Sequence, residues 1–169
     1  VANVTVELDP PPLELPEAEE AKGMFASLHK NIYRAFDYTN EEDVYDALSQ
    51  SVDGELLDDV YYEVYESLIL RDQGGAVCRI EEVKILDSRM DEVQPTTDDE
   101  SAVAFGITCL WRVKGSVHHW GHTHTRVNEY KAAYTVEPRG GAWKITAAQV
   151  LEQRRIADTL TWDKPGEGT

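Results

Sequence analysis

The sequence predicts an α+β domain in which three N-terminal helices pack on a strongly curved antiparallel sheet of about four strands. Three observations carry this. Apolar residues recur at three- and four-residue spacings between Ala21 and Leu68, the period of amphipathic helices. From Val77 onward the period changes to two, the mark of half-buried strands. A segment from Val117 to Val136 reads as one strand of about twenty residues, on the order of 60 Å if straight, which is too long to stay flat in a domain of this size.

Along the chain, Val4 to Leu8 alternates like a short strand. Asp9-Pro10-Pro11-Pro12 and Pro16 follow, so residues 1–16 read as an extended leader or arm. The domain is expected over residues 17–160 and a loose tail over 161–169. In the first helix Ala21, Met24, Phe25, Leu28, Ile32, Ala35 and Phe36 form the inward stripe, with acidic residues at its start complementing the helix dipole. Thr39 with Glu42 has capping-box spacing and opens a second helix, with Val44, Ala47 and Leu48 inward, ending near Asp53-Gly54. A third helix follows with Leu57, Val60, Tyr61, Val64 and Leu68 inward, closed by Gly74-Gly75.

The strands are read as Ala76 to Met90, then Val103 to Val113, with the polar loop Gln94 to Glu100 between them. Lys114-Gly115-Ser116 is the expected turn into the histidine-bearing strand, with Gly121 as a bulge within it. Pro138-Arg139-Gly140-Gly141 turns into a last strand, Ala142 to Arg155, with Trp143 and Ile145 inward.

Composition bounds the function. Apolar content of 41% and charged content of 28% fit a folded, water-soluble chain. No apolar run reaches the roughly 18–20 residues of a membrane span, so direct membrane insertion of this segment is not expected. A net charge of −16 argues against nucleic acid as a partner, because phosphate contacts need clustered Lys and Arg. Residues 1–72 hold 18 acidic and 4 basic side chains, so most of the excess falls on the first half, where it reads as solvated helical surface or, alternatively, as a docking face for a basic partner. Cys78 and Cys109 are expected to be buried free thiols, since no CxxC or disulfide framework exists. The opening at Val1 without methionine or signal peptide leads to the expectation that the chain is a portion of a longer protein.

Helix 1 ending in Ala35-Phe36-Asp37-Tyr38, the short second helix, the long bent hairpin and the closing Gly140-Gly141-Ala142-Trp143-Lys144-Ile145 together resemble the NTF2-like superfamily, a cystatin-like α+β cone. The resemblance covers roughly Glu17 to Ile156. It implies a cone-shaped pocket between sheet and helices, and a homodimer through the open sheet face. Its members include isomerases, dehydratases and non-catalytic binding or assembly domains, so fold alone does not set the activity.

His118-His119-Trp120-Gly121-His122-Thr123-His124-Thr125-Arg126 holds four of the five histidines. Two-residue periodicity places His122, His124, Arg126, Asn128 and Tyr130 in one row facing the cone. Three readings stand side by side. The side chains satisfy one another as an internal network. Alternatively they line a pocket in which Arg126 holds a small anionic or polar ligand against Trp120 or Tyr130. Or His122 and His124 ligate zinc, for which no third ligand is identifiable, so no metal site or cofactor is assigned. Asp37 and Asp43 are conceivable partners for an acid/base histidine, but no catalytic set is assigned: GxSxG, HExxH and phosphate loops are all missing. The expected function is a non-catalytic binding or assembly domain, part of a larger membrane-anchored or exported protein and extracytoplasmic. The alternative is a small isomerase- or dehydratase-type enzyme using a cone histidine.

Overall fold

The computed structural model describes residues 11–72, 77–95 and 103–164. The expected strand at Val4–Leu8, the glycine pair closing the third helix, and most of the Gln94–Glu100 loop and the tail lie outside these residues.

The first apolar stripe forms α1, Ala18–Arg34, which runs into a 3-10 turn at Ala35–Asp37. Its fully buried line is Ala21, Phe25 and His29, with Met24, Leu28 and Ile32 partly buried beside it. The second helix, α2, is Glu41–Ser49. Its cap is Asn40 rather than Thr39: the Asn40 side chain accepts from the Asp43 N–H at 2.9 Å, satisfying one of the open donors at the helix start. The third, α3, is Glu55–Asp72, entered through Gly54 at φ 70°. Ala35, Val44, Leu48, Val52, Leu57, Val64 and Leu68 make a core among the helices themselves.

Four strands follow: β1 Val77–Pro95, β2 Val103–His119, β3 His122–Arg139 and β4 Ala142–Trp162. They form one open antiparallel sheet in sequence order. Phe105, Ile107, Cys109, Trp111 and Val113 of β2, with Ala132, Tyr134 and Val136 of β3 and Ile145 of β4, pack under α1 as the main core. The two cores are joined where the α2–α3 link docks on the sheet. Ile145 donates its N–H to Ser51 O at 2.8 Å, Asp53 donates to Ile145 O at 3.1 Å, and Asn31 donates to the buried Ser51 hydroxyl at 3.1 Å.

Two turn readings are corrected. Lys114-Gly115-Ser116 is not a turn but lies within β2, where a Cβ on Gly115 would come 3.3 Å from Arg79 O of β1. Here glycine marks close approach of a neighbouring strand rather than a reversal. Gly121 is not a bulge; with Trp120 it forms a two-residue turn, both residues at positive φ (48° and 77°), the type I′ geometry. Because nothing is inserted, β2 and β3 pair without a break over fifteen positions, from Phe105↔Val136 to His119↔His122. Gly140 and Gly141, at φ 58° and 79°, make the same kind of turn between β3 and β4, as the sequence implies. Register shifts occur instead on the outer ladders, at three places between β1 and β2 and three between β3 and β4. Both outer strands outrun their expected ends, β1 through Pro95 and β4 through Trp162. Cys109 is buried as expected, whereas Cys78 is only half-buried; both are free.

The turn residues yield a paired test. Left-handed backbone disfavours a bulky side chain and suits asparagine or glycine. Trp120→Asn is expected to raise the thermal unfolding midpoint and Gly121→Ala to lower it, each by about 1 kcal/mol in stability. Differential scanning calorimetry on the two variants checks both signs.

Candidate functional site

The unbroken β2–β3 register decides which side chains meet. On the helix-facing side, His119 stands opposite His122, and His124 opposite Val117. The next strand adds Trp162 beside His122, Leu160 beside His124 and Asp158 beside Arg126. Three imidazoles therefore cluster at the turn end of the sheet. Ring centroids are 4.2 Å apart for His119 and His122, 5.0 Å for His122 and His124, and 5.3 Å for His119 and His124. The Trp162 ring lies 4.8 Å from His122 and the Trp120 ring 5.5 Å from His119. Nδ1 of His119 and Nδ1 of His122 are buried without a hydrogen-bond partner. Desolvation, and then the neighbouring imidazoles His122, His124 and His118, hold the His119 pKa below the usual histidine value.

The remaining members of the predicted row separate along the strand. From His122 to Tyr130 the row runs on the order of 26 Å. Trp120 is 92% exposed at the turn. Arg126 is paired with Asp158 at 3.6 Å, and the same carboxylate takes Arg155 at 3.3 Å. Asn128 is half-buried. Tyr130 belongs to the core margin, stacked on Trp111 at 5.3 Å. His118 points to the opposite face, 2.8 Å from the Thr123 hydroxyl and 3.7 Å from Asp163.

A second place carries chemistry that the sequence reading did not single out. His29 is 2% exposed on the inward line of α1, among the rings of Phe25, Tyr33, Trp111 and Tyr134 at 4.9–5.8 Å. It borders a cleft of about 510 Å³ between α1 and β1, lined also by Lys30, Tyr33, Arg34, Asp37, Glu81 and Glu82. Its Nε2 is buried without a partner, and burial pushes its pKa down to about 4. Trp111 donates its indole N–H to the Tyr33 hydroxyl at 2.8 Å, and burial raises the Tyr33 phenol far above its usual range. Asp37 lines the cleft, while Asp43 stands exposed in the first turn of α2. The signals for the two missed histidines were present. His29 continues Ala21–Phe25 by one more step of four, and His119 precedes a Trp-Gly pair able to reverse the chain in two residues.

The fold is thus α+β, with three helices against an open four-stranded antiparallel sheet. No protein-family model matches the chain, and no curated protein sequence matches it. Among solved structures it is similar in fold to the intermembrane-space region of the chloroplast protein ARC6. That likeness has 22% identity and a TM-score of 0.56, and covers 82% of this chain and 98% of that one. A de novo β-sheet design is more distant, at 14% identity and a TM-score of 0.40, covering 81% of this chain and 91% of that one.

The buried imidazole gives a pH signature. His29 is neutral in the folded chain down to about pH 4, whereas unfolded it takes a proton near pH 6.5. The unfolded state therefore binds more protons between these values. The stabilising effect is full above pH 6.5 and is lost as pH falls through about 4, a change of about 3 kcal/mol. Urea unfolding at pH 7, 5.5 and 4.5 is expected to show this loss in the parent chain and a flatter profile in His29→Leu.

Proposed function

We propose that the chain is a non-catalytic binding or assembly module of the NTF2-like kind, part of a larger membrane-anchored or exported protein and working outside the cytoplasm as a homodimer. The observation that carries the reading is the bare edge of the sheet. Val150, Leu151, Ile156, Leu160 and Trp162 of β4 are all exposed, with Val150 at 60% and Trp162 at 66%. Val150, Leu160 and Trp162 lie on the helix-facing side, yet none packs against either core. A long edge strand with apolar side chains is an assembly surface in search of cover. A second copy of the chain is the proposed occupant.

Supporting the finer parts of the reading, the shifts in the outer ladders are the device by which a sheet bends toward a cone. No helix among the described residues is long and apolar enough to cross a membrane, and the similar ARC6 region belongs to an intermembrane space in its own protein. The narrower part of the proposal is a small polar or anionic ligand held at one stretch of the row formed by His122, His124, Arg126, Asn128 and Tyr130, with Trp120 at its turn end. Such an anion has to compete with Asp158 for Arg126.

The enzyme reading has one observation in its favour, His29 at the cleft with Asp37 nearby. Against it, the ring of His29 is surrounded by aromatic side chains, and no carboxylate among the described residues is hydrogen-bonded to it to orient it as a base.

Sedimentation velocity across a hundredfold concentration range tests the assembly reading. The parent chain is expected to run as a dimer at the upper end and Val150→Lys/Leu160→Lys as a monomer with an unchanged circular dichroism spectrum. A parent chain that stays monomeric throughout overturns the homodimer, as does a double variant that dimerises equally well.

A further inference from the structure

We propose that His119, His122 and His124 form a binding site for a divalent transition-metal ion of the zinc class at the turn end of the sheet. One ligating nitrogen from each residue can be chosen so that all lie within 4.8 Å of one another. A tetrahedral ion with bonds of about 2.0–2.1 Å needs its nitrogens roughly 3.4 Å apart. The backbone already places the three rings on one face, so closing the remaining gap is left to side-chain rotation.

The backbone arrangement is fixed by the turn. Trp120-Gly121 reverses the chain with no inserted residue, which sets His119 directly across from His122. His124 follows two residues on, on the same side. Two ligands come from one strand of the hairpin and one from the other, so an ion there would tie the hairpin end together.

A second observation points to a ligand rather than to self-satisfied rings. A neutral imidazole has one donor and one acceptor nitrogen. Nδ1 of both His119 and His122 is buried with no partner, an arrangement that a structural hydrogen-bond network would avoid.

The donor set selects the chemistry. Three imidazoles suit zinc, copper, nickel or iron, whereas magnesium and calcium require oxygen ligands. Cys78 is no fourth ligand: it pairs with Val117, which pairs with His124, placing it two strands and about 10 Å away. The fourth position is left to water or an exogenous donor, beside the exposed Trp162. His118 makes an internal control, because it points to the opposite face.

Titration calorimetry of the tag-free chain with zinc chloride, magnesium chloride as control, tests the site. One zinc per chain and no magnesium are expected, with at least tenfold weaker zinc binding in each of H119A, H122A and H124A. H118A is expected to stay within about threefold of the parent. In the cobalt-loaded parent, visible absorption reports nitrogen coordination and is expected to vanish in the triple variant. Circular dichroism on each variant separates loss of a ligand from loss of fold, and His→Gln at each position repeats the test where an alanine variant unfolds. No zinc uptake by the parent overturns the proposal. So does uptake that survives in the triple variant, or that falls as far in H118A as in the other three.

Discussion

The strands of this domain are much longer than its helices can cover, and most of the structure answers to that mismatch. α1 has 17 residues and extends about 25 Å, whereas β4 with 21 residues extends about 70 Å. One half of the sheet therefore finds apolar cover and the other half does not. Under the helices the facing residues are Phe105, Ile107, Trp111, Tyr134, Val136 and Ile145; beyond them the same face turns to His119, His122, His124, Arg126 and Asp158. The histidine cluster sits where a hydrophobic core has run out, and so does the apolar edge of β4.

On the far side of the sheet, charge does what the helices cannot. Glu129 is nearly buried there between Arg112 of β2, at 2.7 Å, and Arg154 of β4, at 2.6 Å. The hydrogen bonds from Arg112 and Arg154 lower the Glu129 pKa below the usual carboxylate range. Each arginine is the register partner of the glutamate, so one carboxylate ties three strands across the sheet. That local neutralisation fits the near balance of residues 73–169, which hold 14 acidic and 12 basic side chains.

Element type and order were legible in the sequence because period is a property of single segments. The stripe of α1, the inward residues of α3 and the alternation of β2 all stand where spacing puts them. The glycine turn before Trp143 was legible too, since two adjacent glycines admit the left-handed backbone. What failed was the choice between glycines. Gly115 looks like a turn residue and Gly121 like a bulge, and only contact with Arg79 of another strand tells them apart. With Gly121 read as a bulge, spacing does not set which face His119 takes, and the third imidazole stayed hidden. His29 was hidden for a different reason: a polar side chain on an apolar stripe is passed over when only hydrophobic residues mark the period. The scatter of Trp120, Arg126 and Tyr130 along the strand was out of reach, because a shared face says nothing about where the helices stop.

The β2–β3 hairpin has opposite virtues at its two ends. A two-residue loop costs little chain entropy to close, which favours early pairing at His119–His122, and the register from there to Phe105–Val136 has no fault. Yet the apolar burial that holds the native state lies at the far end, under α1. The end that loop closure favours is thus the end with the least apolar burial to hold it. Amide hydrogen exchange along β3 should accordingly quicken from Val136 toward His122.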